Sequence, residues 1–381
     1  MVVERRLPNW MRVPAPGGAN YLKLRTLVKG SELHTVCEEA HCPNIGDCWE
    51  RGSATFMILG DICTWACQYC AVKTGRPHPL DIEEPVRLAR TVRNLGLKYC
   101  VITSVTRDDL PDGGASVFAE SINRIHDVLP DCKLEVLIPD FLGVDDDLKT
   151  VLDAGPDVLN HNIETTRSIF RQVRPKGDYD RSLRLIRRSA EIAPNVPTKS
   201  GMMVGLGETK DEIKQTLEDL LNAQCQLLTI GQYLQPSPIH RKLDRFYSPE
   251  EFQELADIGM AMGFRHVASG PLVRSSYHAD EQAAAVNIGN SSSGRISSNS
   301  RFFLLAMRGG SLTPSPDFDL QPVVSLGDQH HELAFLAAVT HLVADYSCRA
   351  GMEGLVQFRN LTGHANAAIL SEDLDQVVQE F

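Results

Sequence analysis

No apolar run in the chain approaches the roughly 18 residues that a membrane-spanning helix requires, which excludes a transmembrane protein of that kind. The N-terminal stretch MVVERRLPNWMRVPAPGG also lacks the continuous apolar core of a secretory signal, because Glu4, Arg5, Arg6 and Arg12 interrupt it. A cytoplasmic location is the expectation. Positive charge is scarce, with 38 Lys and Arg against 49 Asp and Glu for a net charge of -11. A polyanion would meet repulsion over most of the surface, so neither nucleic acid nor an anionic membrane is an expected partner. No GxGxxG opens a helix either, and the GLGE at 205–208 is only a fragment of one, which excludes a dinucleotide fingerprint.

Cysteine, by contrast, is concentrated. Of ten cysteines in 381 residues, six (Cys37, Cys42, Cys48, Cys63, Cys67 and Cys70) fall within one short stretch, where even scattering would put about one. A chain of this length buries enough apolar surface without disulfide staples, so the cluster points to local thiol chemistry. Cys100, Cys132, Cys225 and Cys348 stand alone and read as small buried hydrophobes.

The organisation is that of one large domain with appendages. Residues 1–54 form an arm, and Pro8, Pro14, Pro16, Gly17 and Gly18 discourage regular structure in its first part, to about residue 36. From residue 55, six β-rich runs recur: TFMILG (55–60), YCVITSV (99–105), KLEVLIP (133–139), VLNHNIE (158–164), KSGMMVG (199–205) and LLTIGQY (227–233). Between them, stretches such as 84–96 and 115–130 space apolar residues three and four apart, as helices covering a sheet do. Alternating β and α implies an α/β fold with parallel strands, either a doubly wound sheet or a full or partial barrel. Beyond residue 285, the serine-rich stretch 286–300 reads as a linker, and 301–381 as an extension with an amphipathic helical pattern at 331–346.

Cys63, Cys67 and Cys70 form CxxxCxxC in CTWACQYC, directly after the first strand. Three thiolates suit a 4Fe-4S cluster with one iron lacking a protein ligand, since such clusters normally take four cysteines. Zinc is the rival, although its structural sites usually carry four ligands in paired CxxC or mixed Cys and His sets. CxxxCxxC with Tyr69 before the last cysteine resembles the signature of the radical S-adenosylmethionine superfamily. That resemblance implies a partial (β/α)6 barrel in residues 55–285. It also implies S-adenosyl-L-methionine chelated at the open iron and cleaved to a 5′-deoxyadenosyl radical that removes hydrogen from unreactive C-H bonds.

Cys37, Cys42 and Cys48 form a second trio, CxxxxCxxxxxC, on the arm, and by itself this signals another cluster short of one ligand. Within the superfamily the upstream trio resembles the lipoyl synthase family, as does RSSY at 274–277. Stretches 102–115, 161–165, 171–175, 197–209 and 229–237 add to the likeness, which covers about residues 1–285; the extension beyond it departs from the family pattern. The resemblance implies an auxiliary 4Fe-4S cluster, consumed as sulfur donor, with a serine as its fourth ligand. Ser276 is favoured, with Ser275 the alternative. It also implies insertion of two sulfur atoms at C6 and C8 of an octanoyl-lysine on a lipoyl carrier protein, with a flavodoxin or ferredoxin type electron donor. Cofactor contacts carry over to Tyr69, to Asn162 and Glu164 on the ribose side, and to Lys199 and Ser200 near the carboxylate. Rival readings are a biotin synthase or methylthiotransferase type of sulfur-inserting enzyme, and a non-enzymatic iron-sulfur protein.

One segment departs from the acidic average. Residues 167–188 carry eight Arg or Lys against two Asp, with Arg181, Arg184 and Arg188 on one helical face. This is either a solvated charged helix or a dock for an acidic carrier protein.

Overall fold

The computed structural model describes residues 7–13 and 15–285. The serine-rich stretch 286–300, the extension 301–381 with its helical pattern, and Cys348 lie outside the described residues.

In chain order the elements are α1 (Ala19–Gly30), β1 (His34–Thr35), α2 (Val36–Glu39), α3 (Ile45–Glu50), β2 (Thr55–Ile58), β3 (Ile62–Cys63), β4 (Lys73–Thr74), α4 (Glu84–Leu95), β5 (Tyr99–Ser104), α5 (Ala115–Val128), β6 (Lys133–Leu137), α6 (Asp145–Asp153), β7 (Val158–Asn160), α7 (Arg167–Val173), α8 (Tyr179–Ile192), β8 (Thr198–Val204), α9 (Lys210–Asn222), β9 (Leu227–Gln232), α10 (Pro249–Met262), β10 (His266–Gly270) and α11 (Ala279–Ala285). The arm is more regular than its prolines and glycines suggest. Past Gly18, the run ANYLKLRTLVKG has no proline and places Leu24 and Val28 one turn apart, and that buried stripe makes α1.

The main sheet runs β1-β2-β5-β6-β7-β8-β9-β10, with β1 antiparallel to β2 and every other pair parallel. All six expected strands are present, and β10 is a seventh parallel strand beyond the expected six. The order settles the choice between a wound sheet and a barrel. A doubly wound sheet reverses its strand order at a switch point, whereas here each parallel strand pairs with the next in sequence. Right-handed crossovers then put the helices on one face and leave the other to curl inward. Side chains from separate strands meet inside: Lys199 of β8 reaches Glu135 of β6 at 2.8 Å, and Ala283 of α11 packs with Tyr99, Val158 and Leu227.

Local sequence marks the boundaries. Ser248 and Glu251 form a capping box at the start of α10, Pro249 occupies its first turn, and Gly263 at φ 116° ends it. Residues of β2 and β9 are all buried, as expected for strands covered on both faces. The basic segment is broken by Pro175 to Gly177 into α7 and α8, with Asp178 capping α8 by accepting from Arg181 N–H at 2.7 Å.

Candidate active site

Past β2 the chain turns at Leu59 and Gly60, both at positive φ, and enters β3. The short parallel pairing of β3 with β4 closes a loop over residues 64–72 that carries Cys67 and Cys70, with Cys63 at its base. Backbone contacts hold this loop from several sides. Gln68 N–H donates to Val173 O (2.7 Å), Arg241 N–H to Gln68 O (2.9 Å) and Lys176 Nζ to Thr64 O (2.8 Å). His240 Nε2 meets Cys70 O at 2.9 Å, and its Nδ1 is held by Ser237 Oγ at 2.8 Å, so an Nε2–H tautomer serves both contacts. Thr106 N–H (3.3 Å) and Trp65 N–H (3.4 Å) both donate to Cys63 Sγ.

Placing negative charge on neighbouring sulfurs is costly in this water-poor setting. Burial is the main cause that pushes Cys67 up to about 12 and Cys70 up to about 11; the Cys70 sulfur adds to the rise at Cys67, and the Cys63 sulfur and Glu164 to that at Cys70. Ionising all three therefore calls for compensating positive charge, which a metal cluster provides. Among the described residues no three His, Cys, Asp or Glu side chains close on a single metal ion. Three neighbouring cysteine sulfurs on one loop, with backbone N–H donors on Cys63, are the donor set that a thiolate-bound cluster takes.

Arg174 lies beneath this loop. It is buried, stands 5.1 Å from the Trp65 ring, donates to Asn162 O at 3.3 Å and draws the Cys67 thiol downward. Glu164 is near it, and burial raises its carboxyl while Arg174, Asn162 and Tyr69 oppose the rise. Glu164 adopts φ 69°, a left-handed conformation costly for a residue with a side chain. It is held there by its N–H to Gly201 O (3.0 Å) and by Met203 N–H to its own carbonyl (2.8 Å). Tyr69, Asn162 and Glu164 thus gather beside the cysteine loop.

Lys199 and Ser200 have partners of their own in the barrel interior. Lys199 is fully buried and binds both carboxylate oxygens of Glu135 (2.8 and 3.0 Å), which also accepts from Tyr99 and Asn160. Ser200 is equally buried and accepts from Ile163 N–H at 3.1 Å.

The second trio converges as well. α2 presents Cys37, the following turn Cys42, with its N–H on Cys37 O (3.0 Å), and α3 presents Cys48. Burial pushes Cys37 up to about 11 and Cys48 up to about 12, the Cys42 sulfur adding to the rise at both and the Cys37 sulfur to that at Cys48. Two features fit a thiolate-bound cluster. The Trp49 indole N–H is sealed from solvent with no oxygen or nitrogen partner and faces the Cys37 sulfur. Arg274, half-buried, is lowered by desolvation, and the Cys42 sulfur counters this.

The segment after β10 brings RSSY to this trio. Asn44 Nδ2 donates to Leu272 O at 2.6 Å, and Arg51 binds Glu281 (2.5 Å) and His278 (3.0 Å). Gly231 permits the approach, since a Cβ there would collide with Val273 O. Thr55 Oγ1 donates to Ser276 Oγ at 2.7 Å, and Thr55 also hydrogen-bonds Cys37. Ser275 turns the other way and donates to Asn162 Oδ1 at 2.9 Å.

Residues 57–220 match the Radical SAM superfamily, and residues 2–42 match the N-terminal domain of lipoyl synthase of Radical_SAM family. The lipoyl synthase of Halalkalibacterium halodurans is 53% identical over 278 residues, covering 73% of this chain and 92% of its own. That of Rubrobacter xylanophilus is 54% identical over 275 residues, covering 72% and 86%. The chain belongs to the lipoyl synthase family.

As a radical S-adenosylmethionine enzyme of the lipoyl synthase family, it uses a 4Fe-4S cluster and S-adenosylmethionine. Among solved structures, a methylornithine synthase is similar at 13% identity and TM-score 0.43, covering 76% of this chain and 92% of that one. No helix among the described residues is long and apolar enough to cross a membrane. Sequence reasoning missed Thr55, His240 and the interior position of Arg174. The first two are single polar residues acting on partners 221 and 170 positions away, which no local spacing reveals.

Proposed function

We propose that this lipoyl synthase family member inserts two sulfur atoms at C6 and C8 of an octanoyl-lysine on a lipoyl carrier domain. The observation that carries the reading is the approach of RSSY to the second cysteine trio, because a dedicated serine beside three thiols suits a sulfur-donating cluster rather than a permanent one. An oxygen ligand is harder and more labile on iron than thiolate.

In this reading Cys63, Cys67 and Cys70 hold the cofactor-cleaving cluster, and Cys37, Cys42, Cys48 and Ser276 hold the auxiliary one. Tyr69, Asn162 and Glu164 position the adenosylmethionine, with Glu164 accepting from the ribose hydroxyls. When bound, these groups supply a carbon-centred radical that removes hydrogen from the chain, and the sulfur that replaces it. The barrel interior keeps water and stray hydrogen donors from the reacting carbon.

The electron donor in this reading is of flavodoxin or ferredoxin type, and the compartment is the cytoplasm. A carrier dock on the basic segment keeps only part of its charge. Arg174 is interior, while Arg167, Arg181 and Arg188 pair with Asp180, Asp140 and Asp145. Arg171, Lys176, Arg184 and Arg187 remain without a carboxylate among the ion pairs described, and of these Arg184 lines a cavity of about 220 Å³.

Anaerobic reconstitution with iron and sulfide tests the whole. We expect about eight irons per chain and, with a reductant, S-adenosylmethionine and an octanoyl-lysine peptide, one lipoyl group per protein. A yield near four irons, or cofactor cleavage without sulfur transfer, would overturn the reading.

A further inference from the structure

The first residue of the first barrel strand touches both ends of the ligand set. Thr55 is almost fully buried, and its position is fixed by the pairing of β2, where it lies opposite Val101. Its backbone and side chain both draw the Cys37 thiol downward, and its hydroxyl donates to Ser276 Oγ at 2.7 Å. A hydroxyl has one proton to give. With that proton on Ser276, the backbone N–H remains for Cys37. The two donors of one rigid residue therefore serve two different prospective ligands.

We propose that Thr55 is a positioning residue for the serine ligand of the auxiliary cluster, its hydroxyl holding the Ser276 oxygen in place. The proposal rests on Ser276 being that ligand. Arg274, Ser275, Ser276 and Tyr277 belong to a segment between β10 and α11, outside regular structure. The cysteines are carried by α2, a tight turn and α3, so the serine is the ligand that most needs outside support. Thr55 provides it from a strand. A hydrogen bond onto an iron-bound oxygen is charge-assisted and stronger than one between neutral groups. It also keeps a partner for the serine after the oxygen leaves iron, so the side chain is retained in position when the cluster is dismantled.

Thr55→Val isolates the role. Valine matches threonine in shape, suits a strand, and keeps the backbone N–H to Cys37 while losing only the hydroxyl. Thr55→Ser restores the hydroxyl without the methyl group, and Thr55→Ala removes it with less bulk should valine fail to fold. The measurement uses full-length protein with Cys63, Cys67 and Cys70 replaced by alanine, so that iron reports on the other trio alone. After anaerobic reconstitution, iron loss to a chelator is followed by absorbance, with the Mössbauer spectrum of the iron at the serine position as a second readout.

We expect T55V and T55A to lose iron about tenfold faster than the parent, with a broadened signal from that iron, and T55S to behave like the parent. Parent-like loss from T55V and T55A, or equally fast loss from T55V and T55S, would overturn the role of the hydroxyl. Ser276→Ala separates the two claims. Fast loss from S276A with parent-like T55V removes Thr55 alone, whereas parent-like loss from S276A removes the serine ligand itself.

Discussion

Ser275 and Ser276 are consecutive, yet their hydroxyls serve different sites: Ser275 donates to Asn162 Oδ1 at 2.9 Å, and Ser276 accepts from Thr55 at 2.7 Å. Asn162 adjoins Glu164 at the cofactor side, and Thr55 adjoins Cys37 at the second trio. One dipeptide thus links Asn162, beside Glu164, to Thr55, beside the second cysteine trio. Ser275→Ala removes one neutral hydrogen bond and should raise the KM for S-adenosylmethionine by about two to tenfold, with eight irons retained. Ser276→Ala should do the reverse, losing auxiliary iron while still cleaving the cofactor. Cofactor-cleavage kinetics and iron analysis on both variants check the split, and an S275A protein short of iron would exchange the roles.

Glu164 is held at φ 69° by strand-like bonds on both sides. A backbone conformation of that cost is maintained when the side chain must point one way. Glu164→Gln keeps the shape and loses the charge. Loss of a charged acceptor should weaken S-adenosylmethionine binding by about ten to a hundredfold. Equilibrium binding to the reconstituted protein measures it, and unchanged affinity would return Glu164 to a structural ion pair with Arg174.

Much of this arrangement is legible in the sequence, for reasons that differ by element. The six strands expected from composition exist because buried parallel strands need continuous apolar runs. β10, in HVASG, has only Val267 as a buried large apolar residue, and β3 and β4 are two residues each, so no pattern marks them. The cysteine trios announce themselves through spacing. Lys199 illustrates the opposite, since a lysine in a strand reads as a polar group for a ligand, and only the structure reveals Glu135 opposite it in the interior.

Arg184, with Arg181 and Arg188, lines a cavity beside the exposed Val144. Its two neighbours are neutralised by Asp140 and Asp145, which leaves Arg184 to attract an acidic carrier. Arg184→Glu should slow association with an octanoylated carrier domain several-fold at low salt, less at high salt, and leave cofactor cleavage intact. Stopped-flow association at two ionic strengths gives the answer. Equal rates at both would end the docking role.

His161 is sealed between Ile138 O (2.9 Å) and Ser182 Oγ (3.0 Å), and burial, with Arg174 adding to it, lowers its pKa to about 4. An unfolded histidine titrates near 6.5. Between these values the unfolded chain binds a proton that the folded protein refuses, so stability is full above about pH 6.5 and falls as pH drops toward 4. Each pH unit crossed costs about 1.4 kcal/mol. Denaturant unfolding of His161→Gln against wild type should give a difference that shrinks by this amount per unit through the window, and a constant difference would contradict the assignment.

Lys199 and Glu135 are a fully buried pair inside the barrel, with Tyr99 and Asn160 completing the carboxylate's partners. Removing one member of such a pair leaves an uncompensated charge, at a cost of about 3 to 5 kcal/mol. Lys199→Met should be destabilised by that amount. K199M with Glu135→Gln should recover most of it, because glutamine stays neutral and still accepts from Tyr99 or Asn160. Cofactor binding by the double variant separates the two roles of the lysine. If the lysine acts only on Glu135, its S-adenosylmethionine affinity will match wild type. A folded double variant that binds the cofactor tenfold more weakly would place the ammonium back at the cofactor carboxylate, in a rearrangement that breaks the ion pair on binding.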